Sequence, residues 1–287
     1  MKPLFICLAC TVFLPGLAIA DNGDSGYSTA FWVLFWVFAS LLTLFILLRI
    51  FAPPLLAIPY SLFLALFIKR NSFSEPEDHF DQARILKENH HLIAQELREL
   101  MAAEPIPPLE EVDKVQGLFS RRDGIPWRTF FLKAYGNWVP ANCRKAPITY
   151  SLLKEMPEIN TVMFSVMEPG KHIPGHRGIF NGILRYHLGL IVPDVEKSYL
   201  EVKGKRYHWK EGEHIMFNDT HYHEAWNHAS APRSILLLDV VREKSLPAWL
   251  RPINRRVIAF FSKIKRVRAA VQNAEKISHR NRALQTN

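Results

Sequence analysis

TVMFSVM (161–167), ILRYHLGLI (183–191) and SILLLDVV (234–241) belong to a series of short apolar runs in the chain. The other runs are TFFLKAY (129–135), SYLEV (198–202) and EHIMF (213–217). Glycine, proline, asparagine and aspartate separate the runs, which is typical of short strands joined by turns. The pattern predicts a mainly β domain over residues 121–245. We expect a double-stranded β-helix, or jelly roll, because that arrangement folds its sheet edges over each other.

Helical patterns flank the predicted β domain. Apolar residues recur at roughly helical spacing from Asp81 to Met101, which predicts a helix inside a helical linker assigned to residues 71–120. The proline-rich EPIPPLEE (104–111) ends this pattern. A further short helix is predicted from Tyr150 to Met156, where it interrupts the strands.

The positive charge of the chain is concentrated at its C-terminal end. The chain carries a net charge of +9, and Arg242 to Asn287 contains twelve Lys and Arg against two acidic residues. Removing this +10 leaves about −1 for the rest of the chain. A basic end favours an anionic surface. We expect phospholipid and no nucleic acid, because aromatic residues are not interleaved with the basic ones as in a base-stacking platform.

Residues 246–287 are therefore predicted to form a basic amphipathic tail. The apolar residues on one helical face of this tail are Val257, Phe260, Phe261, Ile264 and Val271. Basic residues occupy much of the remaining surface, which is typical of a helix that lies in a membrane interface. The alternative is an ordinary helix packed on the domain with a solvated basic face.

The N-terminal residues 1–20 have the features of a secretory signal. Lys2 precedes the apolar stretch Leu4–Leu14, and Ala18-Ile19-Ala20 has the form of a cleavage site. The alternative is an uncleaved first membrane segment.

Residues 21–70 are predicted to contain a transmembrane segment and an interfacial hairpin. Phe31–Leu48 has no charged residue and approaches the roughly 20 residues that span a bilayer. Leu55–Ile68 is shorter, and basic residues flank it at Arg49 and Lys69. Basic flanks favour the cytoplasmic side, so we expect an inner (plasma) membrane protein whose β domain faces the cytoplasm. A second full span would reverse that side.

Eight of the twelve histidines lie between His172 and His228, and the three cysteines form no zinc or disulfide pattern. Imidazole is the commonest metal ligand in proteins. Two local patterns contain the strongest candidates: GKHIPGHRG (170–178), where His176 is expected on a turn, and FNDTHYHEAW (217–226), where His223 is expected on a strand. A β scaffold could bring these patterns together.

Two histidines with open coordination positions are typical of non-heme iron oxygenases. Such an enzyme needs a basic residue to bind its co-substrate. Arg233 is a candidate, because its planar guanidinium can donate two parallel hydrogen bonds to a carboxylate. Arg185 and His187 are two residues apart and therefore share one strand face, which we expect to point into the barrel. A paired buried arginine is the alternative for Arg185.

The stretch from Trp127 to Val241 resembles the aspartyl/asparaginyl β-hydroxylase family of Fe(II)- and 2-oxoglutarate-dependent dioxygenases. The pieces that carry the resemblance are FSVMEPG (164–170), HRG (176–178), RYHLGL (185–190), FND and HEAW within 217–226, and RSILLLD (233–239). The resemblance implies catalysis with Fe(II), 2-oxoglutarate and O2.

The resemblance also implies roles for individual residues. His176 and His223 would be the iron ligands. The residues around 2-oxoglutarate would be Ser165, Met167, His187 and Arg233. Arg233 would bind the distal carboxylate, and Arg185 would lie on the substrate side.

One position departs from the usual triad of two histidines and a carboxylate. The carboxylate would lie two residues after His176, where this chain has Gly178. Aspartyl β-hydroxylases also have glycine there, with water completing the iron, whereas lipid A hydroxylases have aspartate. In contrast, WRTFFLKAYGNW (127–138) and the region of Pro147–Thr149 resemble the bacterial lipid A acyl-chain hydroxylases of the same family.

These features predict a membrane-anchored hydroxylase that inserts OH into an unactivated C–H bond. A lipid acyl chain of the lipid A type is favoured as the substrate, and a protein Asp or Asn side chain is the alternative. No obligate protein partner is evident. Because both histidines must be neutral to bind a metal, we expect activity to fall in mild acid.

Two readings outside this class stay open. A jelly-roll interaction module could bind metal without turnover. A zinc hydrolase would need a third protein ligand and a general base near the metal, and only Asp219 and Glu224 lie nearby in the sequence.

Overall fold

The computed structural model describes residues 29–51, 57–69, 71–114, 117 and 123–285. The predicted signal-like segment, residues 1–20, lies outside these ranges. The chain divides into two compact units, with the boundary between Leu56 and Ala57.

The described part of the first unit is a helix, α1 (Thr29–Phe51). Its portion Thr29–Leu47 has 19 residues and a mean hydropathy of 2.4, and 0% of that stretch is buried. By length and composition it could cross a membrane. The helix is consistent with the predicted transmembrane segment Phe31–Leu48, and equally with a signal sequence.

The second unit is an antiparallel β sandwich with flanking helices. Its seven-stranded sheet contains, in spatial order, β1 (Phe73–Ser74), β9 (His214–Phe217), β6 (Ile183–Ile191), β11 (Arg233–Val241), β4 (Ile159–Met167), β2 (Trp127–Ala134) and β3 (Asn137–Trp138). Its four-stranded sheet contains β5 (His172–His176), β10 (His223–Asn227), β7 (Ser198–Val202) and β8 (Lys205–His208). All six predicted runs are strands.

Two apolar clusters explain why the central strands are apolar on both faces. β11 lies between β4 and β6, and all nine of its residues are buried. Leu236 and Leu238 pack toward the flanking helices, whereas Ile235 and Leu237 pack toward the four-stranded sheet. Because successive side chains of a strand point to opposite faces, SILLLDVV is a continuous apolar run rather than an alternating one.

His176 lies at the end of a strand, β5, and not on the turn that the sequence indicated. Pro174 and Gly175 within this strand hid it, because both residues are poor strand formers. β5 is an edge strand of its sheet, and proline is tolerated at an edge because its missing N–H need not join a ladder.

The predicted helices have different bounds in the structure. Instead of one helix from Asp81 to Met101, there are α3 (Ala83–Glu88) and α4 (His90–Ala103), separated at Asn89, and then α5 (Leu109–Val112). Instead of one helix at Tyr150–Met156, there are α6 (Pro140–Lys145) and α7 (Pro147–Leu153). Each of these last two begins with proline, which is favoured at the first helical position.

The basic tail forms two helices, α8 (Leu250–Ser262) and α9 (Lys265–Gln285). On α9, Ala270, Ala274 and Ile277 are buried, so this helix packs on the domain as the alternative reading expected. On α8, Ile253 is 39% exposed, so its apolar face is not fully covered.

Within the predicted interfacial hairpin, α2 (Ala57–Leu64) packs one face on the sandwich. Leu64 is buried and lies in a small cluster with Leu246 and Leu250. Leu62, on another face of the same helix, is 65% exposed. This segment is therefore part of the second unit, with an apolar side left uncovered.

Candidate functional site

A pocket opens between the two sheets and contains almost all of the predicted site residues. It encloses about 390 Å³ of empty space, including its open mouth. The predicted residues that line it are Ser165, His176, Arg185, His187, His223 and Arg233. Met167 lies behind the wall, where its Sδ accepts a hydrogen bond from Arg233 Nη2.

His176 and His223 face each other across two antiparallel strands. They are direct partners in the register of β5 and β10, and their ring centroids are 4.2 Å apart. The ring Nδ1 of each lies 2.8 Å from a backbone carbonyl two residues earlier, Pro174 O for His176 and His221 O for His223. The same local contact therefore orients both rings.

This contact also determines which nitrogen carries the proton. A carbonyl oxygen only accepts hydrogen bonds, so Nδ1 must carry the hydrogen in each ring. In a neutral imidazole the lone pair is then on Nε2, the form in which histidine binds a metal. The two rings are thus prepared as a pair of nitrogen donors.

Burial keeps both histidines neutral. It lowers the pKa of His223 to about 3, with a further contribution from His176. Burial also lowers the pKa of His176, against the opposing effect of the Pro174 carbonyl. The expected fall of activity in mild acid assumed ordinary histidine pKa values. Because burial lowers both pKa values, the two histidines become protonated only at lower pH than ordinary histidines.

We predict that acid destabilises the metal-free protein. The described histidines whose pKa burial lowers are His79, His176, His187, His214, His221 and His223. Below the unfolded value of 6.5, the unfolded chain binds protons that the folded chain does not, so folding stability is lost as pH falls. For His223 this window runs from 6.5 down to about 3.

Urea unfolding of the full chain in detergent, with iron removed, measures this effect. Each such histidine contributes a loss of up to about 1.4 kcal/mol per pH unit. The loss from pH 7 to pH 5 should be smaller in His223→Ala. An unfolding free energy that stays constant or rises over that range would contradict the prediction.

Arg185 lines the same pocket and forms ion pairs with two carboxylates. Its guanidinium lies 3.3 Å from Asp219 Oδ2 and 3.0 Å from Asp239 Oδ1. Burial alone would lower the pKa of Arg185, but the two carboxylates raise it overall. Arg185 is therefore both a pocket residue and the paired arginine of the alternative reading.

Among the residues that the structure describes, Arg233 has no carboxylate partner, although it is only 1% exposed. Its Nε and Nη1 atoms make no hydrogen bond within the described residues. The guanidinium carbon lies 4.0 Å from the ring centroid of Trp209. Burial lowers the Arg233 pKa to about 9, so it is still protonated at pH 7. A buried cation without a counter-ion is costly, and these open donors suit an incoming carboxylate.

Other donors surround Arg233 in the same pocket. Both ring nitrogens of His187 and the Trp209 Nε1 atom are buried without a hydrogen-bond partner in the described residues. Ser165 Oγ accepts a hydrogen bond of 2.9 Å from Trp127 Nε1, which leaves its own hydrogen free to donate. The arrangement can bind a compact anion with several oxygen atoms.

Asp219 fills the space where a side chain at position 178 would lie. A Cβ built on Gly178 would be 2.5 Å from Cγ and both carboxylate oxygens of Asp219. The Gly178 N–H donates a 2.8 Å hydrogen bond to the Asp219 carbonyl. The missing carboxylate of the usual triad therefore has no room while Asp219 keeps this position.

We predict that Gly178→Asp lowers stability and supplies no third metal ligand. The new side chain would collide with the Asp219 carboxylate, and such overpacking costs about 1–3 kcal/mol. Gly178→Ala has the same collision without the new charge and serves as the control. Thermal unfolding and Fe(II) titration measure both effects. Tighter Fe(II) binding with unchanged stability in Gly178→Asp would refute this account.

Sequence reasoning missed several residues that complete the site. Trp209 follows β8 in a segment without periodicity, so nothing indicated that it stacks on Arg233. Asp239 was noted only as the end of a motif, although it is the register partner of Arg185. For Asp219 the sequence indicates only a zinc ligand or a general base of a hydrolase, whereas in the structure it pairs with Arg185 and lies against Gly178.

Comparison with known proteins identifies similar chains. A family model described as aspartyl/asparaginyl beta-hydroxylase matches residues 87–243. The ornithine lipid ester-linked acyl 2-hydroxylase of Rhizobium tropici is 44% identical over 123 residues, which are 42% of this chain and 44% of that protein. The human aspartyl/asparaginyl beta-hydroxylase is 33% identical over 155 residues, which are 50% of this chain and 20% of that protein.

The chain thus spans less than half the length of each of these relatives. Among solved structures, a cupin-2 conserved barrel domain protein from Salinispora arenicola overlaps 46% of this chain and 84% of its own. The TM-score is 0.28 and the sequence identity 10%, a similarity too weak to indicate a shared function.

Proposed function

Because this chain belongs to the aspartyl/asparaginyl β-hydroxylase family, shown by the family match over residues 87–243, we propose that it is a membrane-anchored hydroxylase. The family consists of Fe(II)- and 2-oxoglutarate-dependent dioxygenases. The observation that carries the proposal is the buried guanidinium of Arg233, which has no carboxylate partner among the described residues and lies in the same pocket as the histidine pair. A metal site alone would not require that buried cation.

We propose His176 and His223 as the residues that hold the iron, through their Nε2 atoms. Among the described residues, no group of three or more His, Cys, Asp or Glu side chains could hold a metal ion. The co-substrate and water would then complete the coordination. Iron with 2-oxoglutarate and O2 supplies the oxidising chemistry, in which the co-substrate becomes succinate and CO2 and the substrate gains a hydroxyl.

Arg233 is proposed to bind the distal carboxylate of 2-oxoglutarate as its counter-ion. His187, Ser165 and Met167 lie around it, and the neutral His187 ring can donate one further hydrogen bond. Burial lowers the pKa of His187 well below its usual value, and the nearby Arg233 lowers it further. These residues bind and orient the anion, and the apolar pocket wall excludes water.

Arg185 is proposed to lie on the substrate side of the site. Its ion pairs with Asp219 and Asp239 hold it at the pocket wall, so it is positioned before a substrate arrives. We also propose that the sandwich is a jelly roll. From β4 to β11 the chain passes repeatedly between the two sheets, with β7 and β8 the only consecutive strands of this stretch in one sheet, and this supports the winding.

The proposed substrate is an acyl chain of a membrane lipid. The resemblance to the Rhizobium tropici ornithine lipid hydroxylase supports an acyl chain, and the apolar helix α1 supports a membrane location. That relative acts on an ornithine lipid, so lipid A and ornithine lipid are both sources to compare. The proposed location is the inner membrane with the site in the cytoplasm, where the basic tail would face anionic lipid.

Mass spectrometry of membrane lipids tests this proposal. Lipids from cells that make the wild-type chain should contain species heavier by one oxygen atom, and cells that make His223→Ala should lack them. Lipid A and ornithine lipid are analysed separately to identify the source. An unchanged lipid profile, despite 2-oxoglutarate turnover by the purified protein, would reject an acyl substrate.

A peptidyl Asp or Asn hydroxylase is the second candidate, and the 33% identity to the human enzyme favours it. Hydroxylation of Asp or Asn in a peptide mixture, with no lipid product, would select this function. Metal binding without 2-oxoglutarate turnover on lipid or peptide would instead indicate an interaction module.

A further inference from the structure

An apolar patch lies on the surface of the second unit. It combines side chains from α2, from the turn after it, and from the start of α8. Its members are Leu62, Phe63, Leu66, Phe67, Trp249 and Ile253. Leu66 is 78% and Trp249 56% exposed. Single exposed apolar residues are normal on soluble proteins, whereas a contiguous group marks an interaction site.

Ring contacts join the aromatic members of the patch across the two segments. The Trp249 ring lies 6.4 Å from Phe63 and 5.8 Å from Phe67, measured between centroids. Beneath it, Leu64 and Leu250 are fully buried. Two segments that are far apart in sequence are thus held together as a single apolar face.

A buried hydrogen-bond network connects α2, which carries part of this face, to the loop that follows β5 and the loop that precedes β10. The backbone N–H of Asn181 donates to Ser61 Oγ of α2 over 2.8 Å. The Asn181 Oδ1 atom accepts hydrogen bonds of 2.9 Å from Asn218 Nδ2 and from Thr220 Oγ1. Asn181 follows His176 in the chain, and Asn218 and Thr220 precede His223.

Aromatic packing makes a second connection to the same loop. Phe180, between β5 and β6, lies 6.2 Å from the ring of Tyr60 on α2 and 6.3 Å from that of Phe261 on α8. The neighbouring Ile179 is 45% exposed. The loop between β5 and β6 therefore packs on both helices that contribute to the apolar patch.

The charge around the patch is positive. Between Leu250 and Ile264 the chain has no acidic residue, and the side chains of Arg256 and Lys263 are exposed. Arg255 is partly neutralised by Glu243, whose Oε2 atom lies 2.6 Å from its Nη2. Apolar side chains beside exposed basic ones suit the surface of an anionic lipid leaflet.

We propose that the apolar patch inserts into the interface of an anionic membrane leaflet and holds the pocket mouth at that leaflet. The inference rests on the proposed membrane anchoring of the chain. It assigns the contact to α2, Trp249 and α8, whereas the sequence indicated the whole basic tail. Asn181 and Phe180 are the positioning residues that connect the patch to the loops next to the histidine-bearing strands β5 and β10.

Spin labels on the full chain in bilayer discs test this surface. Single cysteines replace Leu66, Ile253 or Ile179 in a background with Cys7→Ser and Cys10→Ser, since Cys143 is buried. Ile148→Cys is the matched control, because Ile148 is an aliphatic residue outside the patch and is 39% exposed. The readout is the ratio of collisions with O2, which partitions into lipid, to collisions with a nickel chelate, which stays in water.

In discs that contain phosphatidylglycerol, the labels at positions 66, 253 and 179 are expected to collide more often with O2 than with the nickel chelate. The control label at position 148 is expected to collide more often with the nickel chelate. Discs of phosphatidylcholine alone, or the double variant Arg256→Glu with Lys263→Glu, should shift the patch labels toward water. Patch labels as accessible to the nickel chelate as the control would overturn the proposal. Magnetic coupling between labels on two chains would also overturn it, because a second copy would then cover the patch.

This measurement needs no iron, 2-oxoglutarate or substrate. It therefore separates the docking surface from the proposed reaction. Patch labels in lipid together with an unchanged lipid profile would reject the acyl substrate and keep the docking surface. Hydroxylated lipid together with patch labels in water would reject the docking surface and keep the acyl substrate.

Discussion

Arg233→Met is expected to abolish 2-oxoglutarate turnover at ordinary co-substrate concentrations while leaving the fold intact. Arg233 is buried, and its Nε and Nη1 atoms are open to a carboxylate. Losing one partner of a buried charge pair costs about 2–5 kcal/mol. We expect the KM for 2-oxoglutarate to rise at least about 30-fold, since 1.4 kcal/mol corresponds to a factor of ten. Steady-state kinetics measure this change.

The stability of the same variant provides an independent check. Without co-substrate, Arg233 is a buried cation that has no acidic partner in the described part of the chain, so methionine should leave the melting temperature unchanged or raise it. Added 2-oxoglutarate should stabilise the wild type and not the variant. Arg185→Met is the matched control. This variant leaves the carboxylates of Asp219 and Asp239 without their arginine partner and should destabilise the protein by about 3–5 kcal/mol. Arg233→Met that is stabilised by 2-oxoglutarate like the wild type would disprove the assignment.

His223→Ala should remove stoichiometric iron binding and reduce turnover at least about 100-fold. Changes that only disturb the support of a metal ligand already cost about 10- to 100-fold, and this change removes one of the two proposed ligands. Metal content after dialysis against Fe(II) measures binding, and succinate formation measures turnover.

His208→Ala is the control for this variant. His208 belongs to the same histidine-rich region, but its Nδ1 lies 3.0 Å from the Val195 carbonyl and it is not among the residues that line the pocket. It should keep its iron and its activity. Full iron occupancy in His223→Ala, or equal loss in both variants, would count against the proposed centre.

The central strands of the sandwich could be predicted because they bury apolar side chains in the two clusters on either side of the sheet, which makes them short apolar runs in the sequence. The alternation of Arg185 and His187 within β6 indicated which face looks into the pocket, and both residues do line it. β5 could not be predicted in the same way. Pro174 and Gly175 are acceptable there only because the strand is at an edge, and position within a sheet is not a local property of sequence.

The environment of the site depends on contacts between distant residues. The sequence shows that position 178 is glycine and therefore lacks the usual carboxylate. Only the fold shows that the Asp219 side chain fills the space beside Gly178. Arg233 could be proposed as an anchor because of its residue type. Its lack of an acidic partner, and the ring of Trp209 beneath it, follow from packing that no spacing in the sequence encodes.

The unequal support of the two facing histidines has a consequence for the order in which the centre assembles. β10 pairs on both sides, with β5 and with β7, whereas β5 pairs on one side only. Strands with fewer partners open at lower free energy. In the metal-free protein, backbone amides of β5 should exchange with deuterium faster than those of β10, and iron should slow β5 most. His223 would then capture the metal first, and its release would begin with fraying of the strand that carries His176.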